Sequence, residues 1–130
     1  MPQTNILNNP KPELERFIAG NDYDRLIQCA QDVGESIAHE ELTKSQLRNI
    51  YGMVKQIQTE GFKGNSPLKL KLLRPKLAYV AAKEKRLGRL ATVLDEAIQM
   101  VKDDTQFQHF ADFFEAIVAY HFAESKKRGS

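Results

Sequence analysis

The sequence has little of what reactive centres are built from. Cys29 is the single cysteine in 130 residues, which excludes an internal disulfide and a cysteine-built metal site. It falls among the apolar positions of a helical pattern and reads as a small core residue. One unpaired thiol agrees with a reducing cytosol, and a cytoplasmic location is expected. No apolar run approaches the roughly 20 residues that a membrane helix needs, so no membrane partner is expected. The start, Met1-Pro2-Gln3-Thr4-Asn5, lacks the basic and apolar regions of a signal peptide. Also missing are a glycine-rich phosphate loop, an HExxH motif and a nucleophile elbow. His39 and His121 are isolated. His109 and Asp112 lie one turn apart, with Glu115 a further turn along, and could form a His–Asp pair or two metal ligands. No third ligand motif accompanies them, so they read as an ordinary polar face. No catalytic residue, metal or cofactor is therefore expected, and the chain is not read as an enzyme.

Acidic side chains are scarce in one place only. Residues 43–90 contain twelve basic side chains and two acids, Glu60 and Glu84, for a net charge of +10. Residues 1–42 sum to −5 and residues 91–130 to −3, giving the bland total of +2. Segregation on this scale favours a polyanionic partner for the middle segment. The acidic flanks argue against a protein that coats any nucleic acid indiscriminately.

The hydrophobic pattern is helical throughout, with no sustained strand alternation. Residues 1–11 are polar with two prolines nearby and are expected to be loosely attached, as are residues 125–130. A short helix is predicted from Pro12 to Ala19, ended by Gly20. Asn21 or Asp22 then caps a helix with Tyr23, Leu26, Ile27, Ala30, Val33 and Ile37 on its apolar side. Gly34 weakens its later turns. Thr43 and Gln46 form a capping-box pattern ahead of Leu47, Ile50, Tyr51, Val54 and Ile57. Gly61 is a natural residue just past a helix end, and Phe62 is placed to fold back on the last turn. Ser66-Pro67 opens the next helix, which should kink or break between Leu73 and Lys76 because Pro75 removes a hydrogen bond. Gly88 marks a second interruption. Asp104 or Thr105 should cap the last helix, whose apolar face holds Phe107, Phe110, Phe114, Ile117, Val118 and His121. The expected fold is all-α: a compact antiparallel bundle of about five helices, one kinked or broken at Pro75, in a single domain spanning residues 1–130.

The basic residues fall on helix faces. At 100° per residue, Lys44, Arg48 and Lys55 lie within roughly 40° of one another, with Tyr51 beside them. Lys76, Tyr79, Lys83 and Arg86 lie within roughly 80° after the proline. Cations neutralise phosphates and release counterions, while an aromatic ring can stack on a base or sugar. Lys69 and Arg74 belong to the same band. These ten residues are the candidate RNA-binding set. Pro75 is expected to aim Arg74 and Lys76 to the same side.

Three stretches resemble the small subunit of the type III-A CRISPR (Csm) effector complex. They are Leu42-Thr-Lys-Ser-Gln-Leu-Arg-Asn-Ile-Tyr51, then Leu72-Leu-Arg-Pro-Lys-Leu-Ala-Tyr79 with Ala81-Ala82, and Phe113-Phe-Glu-Ala-Ile-Val-Ala-Tyr-His121. The second is the most specific, since a Pro-Lys pair inside an apolar helix is unusual. The family's basic residue closely following the small pair corresponds here to Lys83 or Arg86. The resemblance implies a non-catalytic helical bundle in an antiviral ribonucleoprotein. Its partners would be target RNA paired with the guide RNA, the other subunits of the Csm complex and further copies of itself in the filament. The main rival is a helical protein–protein adaptor without nucleic-acid binding. A helix-turn-helix DNA regulator fits less well, because the Gly61–Ser66 connection exceeds that motif's tight turn.

Overall fold

A computed structural model describes residues 6–38 and 41–127, with the backbone alone at residues 41–44 and at Arg86. Its helices are α1 (Pro10–Leu14), α2 (Tyr23–Ser36), α3 (Glu41–Glu60), α4 (Ser66–Lys71), α5 (Leu73–Lys83), α6 (Gly88–Met100) and α7 (Asp104–Lys127). One π-helical turn (Glu15–Ala19) continues α1, and one 3-10 turn (Lys85–Leu87) precedes α6. No strand occurs among the described residues, and the fold is all-α as expected.

The chain enters the fold earlier than its polar start suggests. Ile6 is fully buried and Pro10 opens α1, while Asn8, Asn9 and Lys11 are exposed; residues 1–5 of the segment expected to be loose lie outside the described residues. At the other end Ser125 is also buried, and its hydroxyl donates to the Ala38 carbonyl at 2.8 Å. Glu13 on α1 is only 4% exposed and receives two bonds from Arg25 on α2, Nε to Oε1 at 2.6 Å and Nη2 to Oε2 at 2.9 Å. Those bonds hold the Glu13 carboxyl below its ordinary range against the opposing effect of burial. Cys29 lies in the core, and burial pushes its thiol up to about 12.

Helix α7 is the axis of the molecule. Phe107, Phe110, Phe113, Phe114 and Ile117 are all fully buried, so its apolar surface wraps further round than one face. Phe17 packs on Phe113, Tyr51 on Phe114, and Phe62 stacks on Phe107 with ring centroids 4.9 Å apart. Phe62 thus reaches across to α7. Gly61 supplies the turn with φ of 90°, a conformation that disfavours side chains.

Neighbouring α3 and α7 run antiparallel, as shown by Tyr51 against Phe114 and Gln58 against Gln108. Helices α5 and α6 do the same, with Arg74 meeting Asp95. The α2–α7 pair departs from the expected antiparallel bundle. Tyr23 meets His109 near both N-terminal ends, while Ala38, just beyond α2, meets Ser125, so the two helices run parallel. Parallel pairing needs a long return path, and the four helices between them in sequence, α3 to α6, supply it.

Several end signals act differently from their sequence reading. Helix α3 starts at Glu41, which places Thr43 inside the first turn and not at the cap position. Asp22 does cap α2, accepting from the Arg25 N–H at 3.1 Å. The cap of α7 is Asp103, whose Oδ1 accepts from the Gln106 N–H at 2.8 Å. Gln106 answers by accepting from the Lys102 N–H at 2.8 Å. The kink in the α4–α5 unit falls at Leu72, ahead of the expected place. A proline ring collides with the carbonyl four residues earlier, which here is Lys71, the last residue of α4. Pro75 thereby occupies the first turn of α5, where its missing N–H has no intrahelical partner to lose.

Candidate nucleic-acid interface

The expected basic band is divided by α3 into two surfaces. Arg48, Tyr51 and Lys55 lie on the side of α3 that meets α7. Tyr51 is half-buried against Phe114, with ring centroids 5.7 Å apart, and Lys55 Nζ lies 6.0 Å from the Tyr51 centroid. Burial raises the Tyr51 phenol above its ordinary value. Arg48 borders a cleft of about 460 Å³ together with Val118, Phe122 and Lys126 of α7. Phe122 is 55% exposed, so this surface combines cations with an open aromatic ring. Neither Phe122 nor Lys126 was among the expected residues. The available signal was the four-residue spacing of Val118, Phe122 and Lys126, which continues the α7 seam outward.

The second surface lies between the other side of α3 and α5. Gln46, Asn49, Ile50 and Met53 form one wall, at roughly 180° from the Arg48–Lys55 stripe on an ideal helix. Leu72, Pro75, Lys76, Tyr79, Val80 and Lys83 form the other wall of a cleft of about 670 Å³. Leu72 and Tyr79 are well exposed. Lys83 Nζ stands 5.6 Å from the centre of the Tyr79 ring, within cation–π range.

The remaining expected residues are placed elsewhere. Arg74 turns away from Lys76, because Arg74 reaches Asp95 of α6 at 2.6 Å while Lys76 lines the α3–α5 cleft. Pro75 therefore does not aim both cations to one side: the kink precedes them, and regular helix carries them to opposite sides. Lys69 pairs with Glu60 at 2.8 Å. The side chains of Lys44 and Arg86 lie outside the described residues. Among the described residues, Arg48, Lys55, Lys76 and Lys83 have no carboxylate within ion-pair distance.

The His109–Asp112 pair is also resolved. His109 is 3% exposed; its Nδ1–H donates to the Ile18 carbonyl at 3.1 Å, and Nε2 accepts from the Tyr23 hydroxyl at 3.0 Å. A carbonyl can only accept, which fixes this tautomer. Both ring nitrogens are thus used to tie α7 to α2 and the π-helical turn. Asp112 is exposed, with its carboxyl raised first by desolvation and then by Glu115. Among the described residues no three His, Cys, Asp or Glu side chains are grouped to hold a metal ion. None of the described helices is long and apolar enough to cross a membrane.

No curated protein and no solved structure matches the chain. A family model does: Csm2 Type III-A matches residues 20–127, from just before α2 to the end of α7. That span contains both surfaces and all three stretches that resembled the small subunit in sequence. The chain belongs to the Csm2 Type III-A family and is a small subunit of a type III-A Csm effector complex, with the other subunits of that complex as its partners.

Proposed function

We propose that this subunit is a non-catalytic RNA-binding element of the complex, acting as a single helical domain in the cytoplasm in antiviral defence. It contacts target RNA paired with the guide through phosphate backbones, packs beside the backbone subunits and lines the filament with further copies of itself. The observation that supports this most is the uncompensated charge of Arg48 and Lys55 on one side of α3, with Lys126 across the cleft on α7. A solvated helix normally mixes signs for support between adjacent turns; here Glu115 of α7 is near enough to act on Tyr51, but among the described residues no carboxylate stands within ion-pair distance of Arg48 or Lys55. Lysine and arginine heads spaced along a helix suit phosphates at any sequence, since phosphate contacts position a protein without reading bases. Absence of catalysis is part of the proposal, and it fits the use of both His109 nitrogens in holding helices together.

The test is titration of RNA at two salt concentrations. Release of counterions makes affinity fall steeply with salt, by roughly 0.7 in log–log slope per phosphate contacted on single strands. A chain that fails to bind RNA at low salt yet still joins the complex would be the helical adaptor instead.

A further inference from the structure

We propose that the α3–α5 cleft is a separate subsite that receives one unpaired nucleobase of RNA. The proposal rests on the RNA-binding reading and adds a chemical class of ligand to it. Three features select a planar, hydrogen-bonding, anion-linked group. The first is shape and polarity. A cleft of about 670 Å³ is within the usual range for small-molecule sites, and Ile50, Met53, Leu72 and Val80 give it apolar walls. An aromatic residue, Tyr79, lines it and is 64% exposed. Such rings stack on nucleobases of any identity.

The second feature is the hydrogen-bonding edge. Gln46 and Asn49 bring two side-chain amides to the α3 wall, where the rest of that wall is apolar. Gln46 Oε1 is buried and has no hydrogen-bond partner among the described residues. A buried acceptor left unmet is unfavourable, and that oxygen has no surface open to the cleft, so a base amino group meets it only once the amide turns outward. Terminal amide torsions are broad and roughly two-fold, so the amide can turn to present either atom. The third feature is charge. Lys76 and Lys83 are the ionisable side chains in the lining besides Tyr79, and both are cationic. They suit the phosphates on either side of an inserted nucleotide; an acidic peptide would meet the same charges but brings no planar base to stack on Tyr79. An inserted base also explains why this cleft is set apart from the backbone-contacting face across α3. A duplex keeps its bases stacked and paired, so only an unpaired or splayed nucleotide can enter.

The experiment uses the full chain and single-stranded RNA oligonucleotides in which one internal adenine is replaced by 2-aminopurine. Stacking on Tyr79 should quench the fluorophore on binding. Tyr79→Leu should abolish the quenching and weaken single-strand binding roughly five- to 150-fold, the range expected for one lost stack. Tyr79→Phe should retain both, and neither variant should alter binding of a blunt duplex. Because Tyr79 is largely exposed, the leucine variant should fold like the parent, and a circular-dichroism melt checks this. An oligonucleotide abasic throughout its central segment makes the same test on the unaltered protein and should bind as weakly as the leucine variant binds normal RNA. Equal binding of abasic and normal RNA, or unchanged quenching in Tyr79→Leu, would overturn the nucleobase subsite while leaving RNA binding intact. Normal RNA binding by Tyr79→Leu with loss of its association with the other Csm subunits would reassign the cleft to protein docking. Failure of every RNA form to bind at low salt would remove the RNA-binding reading itself.

Discussion

Gly34 gives the sharpest test of the packing between α2 and α7. Considered locally, replacing a glycine within a helix by alanine should stabilise the protein by about 1 kcal/mol. The neighbourhood reverses that expectation. A Cβ at residue 34 would stand 2.8 Å from the Ile117 carbonyl oxygen, 2.9 Å from the His121 nitrogen and 2.9 Å from Tyr120 Cβ. Two of these atoms are backbone and the third is fixed to it, so no flexible side-chain tip can move aside. The parallel helices must part by about half an ångström along the seam that ties α2 to the axis of the molecule. Overpacking of this kind costs about 1–3 kcal/mol, and the rigid neighbours place it at the upper end. The net prediction is destabilisation by about 2 kcal/mol. Gly52→Ala is the matched control, since a Cβ there meets nothing within 4 Å on the exposed side of α3. It should stabilise by about 1 kcal/mol. Urea unfolding of the two variants beside the parent reads both signs. Stabilisation of Gly34→Ala equal to that of Gly52→Ala would refute the close approach of α2 and α7.

Phe114 is fully buried at the centre of α7, and Phe114→Ala should cost about 3–5 kcal/mol, measured by the same unfolding assay. Glu13→Gln should cost about 3 kcal/mol at neutral pH, because it removes the charge from the carboxylate that pairs with the largely buried Arg25 at 2.6 Å. The Glu13 carboxyl is depressed in the folded state, so its contribution is complete above the unfolded value of about 4.3 and is lost as pH falls through the lower folded value. Stability of the parent should therefore drop more steeply than that of Glu13→Gln on acidification below about pH 4.3, which a series of unfolding curves can compare. Pro75→Ala should change stability by less than about 1 kcal/mol, since the ring sits in the first turn of α5; a gain near 3 kcal/mol in thermal unfolding would mean the helix is continuous through Leu72.

The elements of this fold were legible because their apolar spacing is local. Leu47, Ile50, Val54 and Ile57 show one stripe in sequence and one buried stripe in the structure. What the sequence could not display is set by partners distant along the chain. Gly34 looked like a weakness in α2 until Ile117 and His121 were found against it. His109 looked like a polar surface residue because its two partners, Ile18 and Tyr23, are more than 80 residues away. Thr43 and Gln46 have the spacing of a capping box, but α3 begins before them at Glu41, and Gln46 lines the α3–α5 cleft. For the interface, residue types and helical faces were readable, whereas the division of the band was not. That division depends on α7 taking one side of α3 and α5 the other. The carboxylate partners of Lys69 and Arg74 were equally hidden, since Glu60 and Asp95 lie on other helices.

The central claim is that phosphate contact resides on the α3–α7 face. It is tested most directly by the salt dependence of RNA affinity for the parent and for a variant with both Arg48→Glu and Lys55→Glu. If each residue meets one phosphate, the log–log slope for single-stranded RNA should shrink by about 1.4, and several unrelated sequences should weaken alike. An unchanged slope, or a loss confined to some of the sequences, would contradict the account.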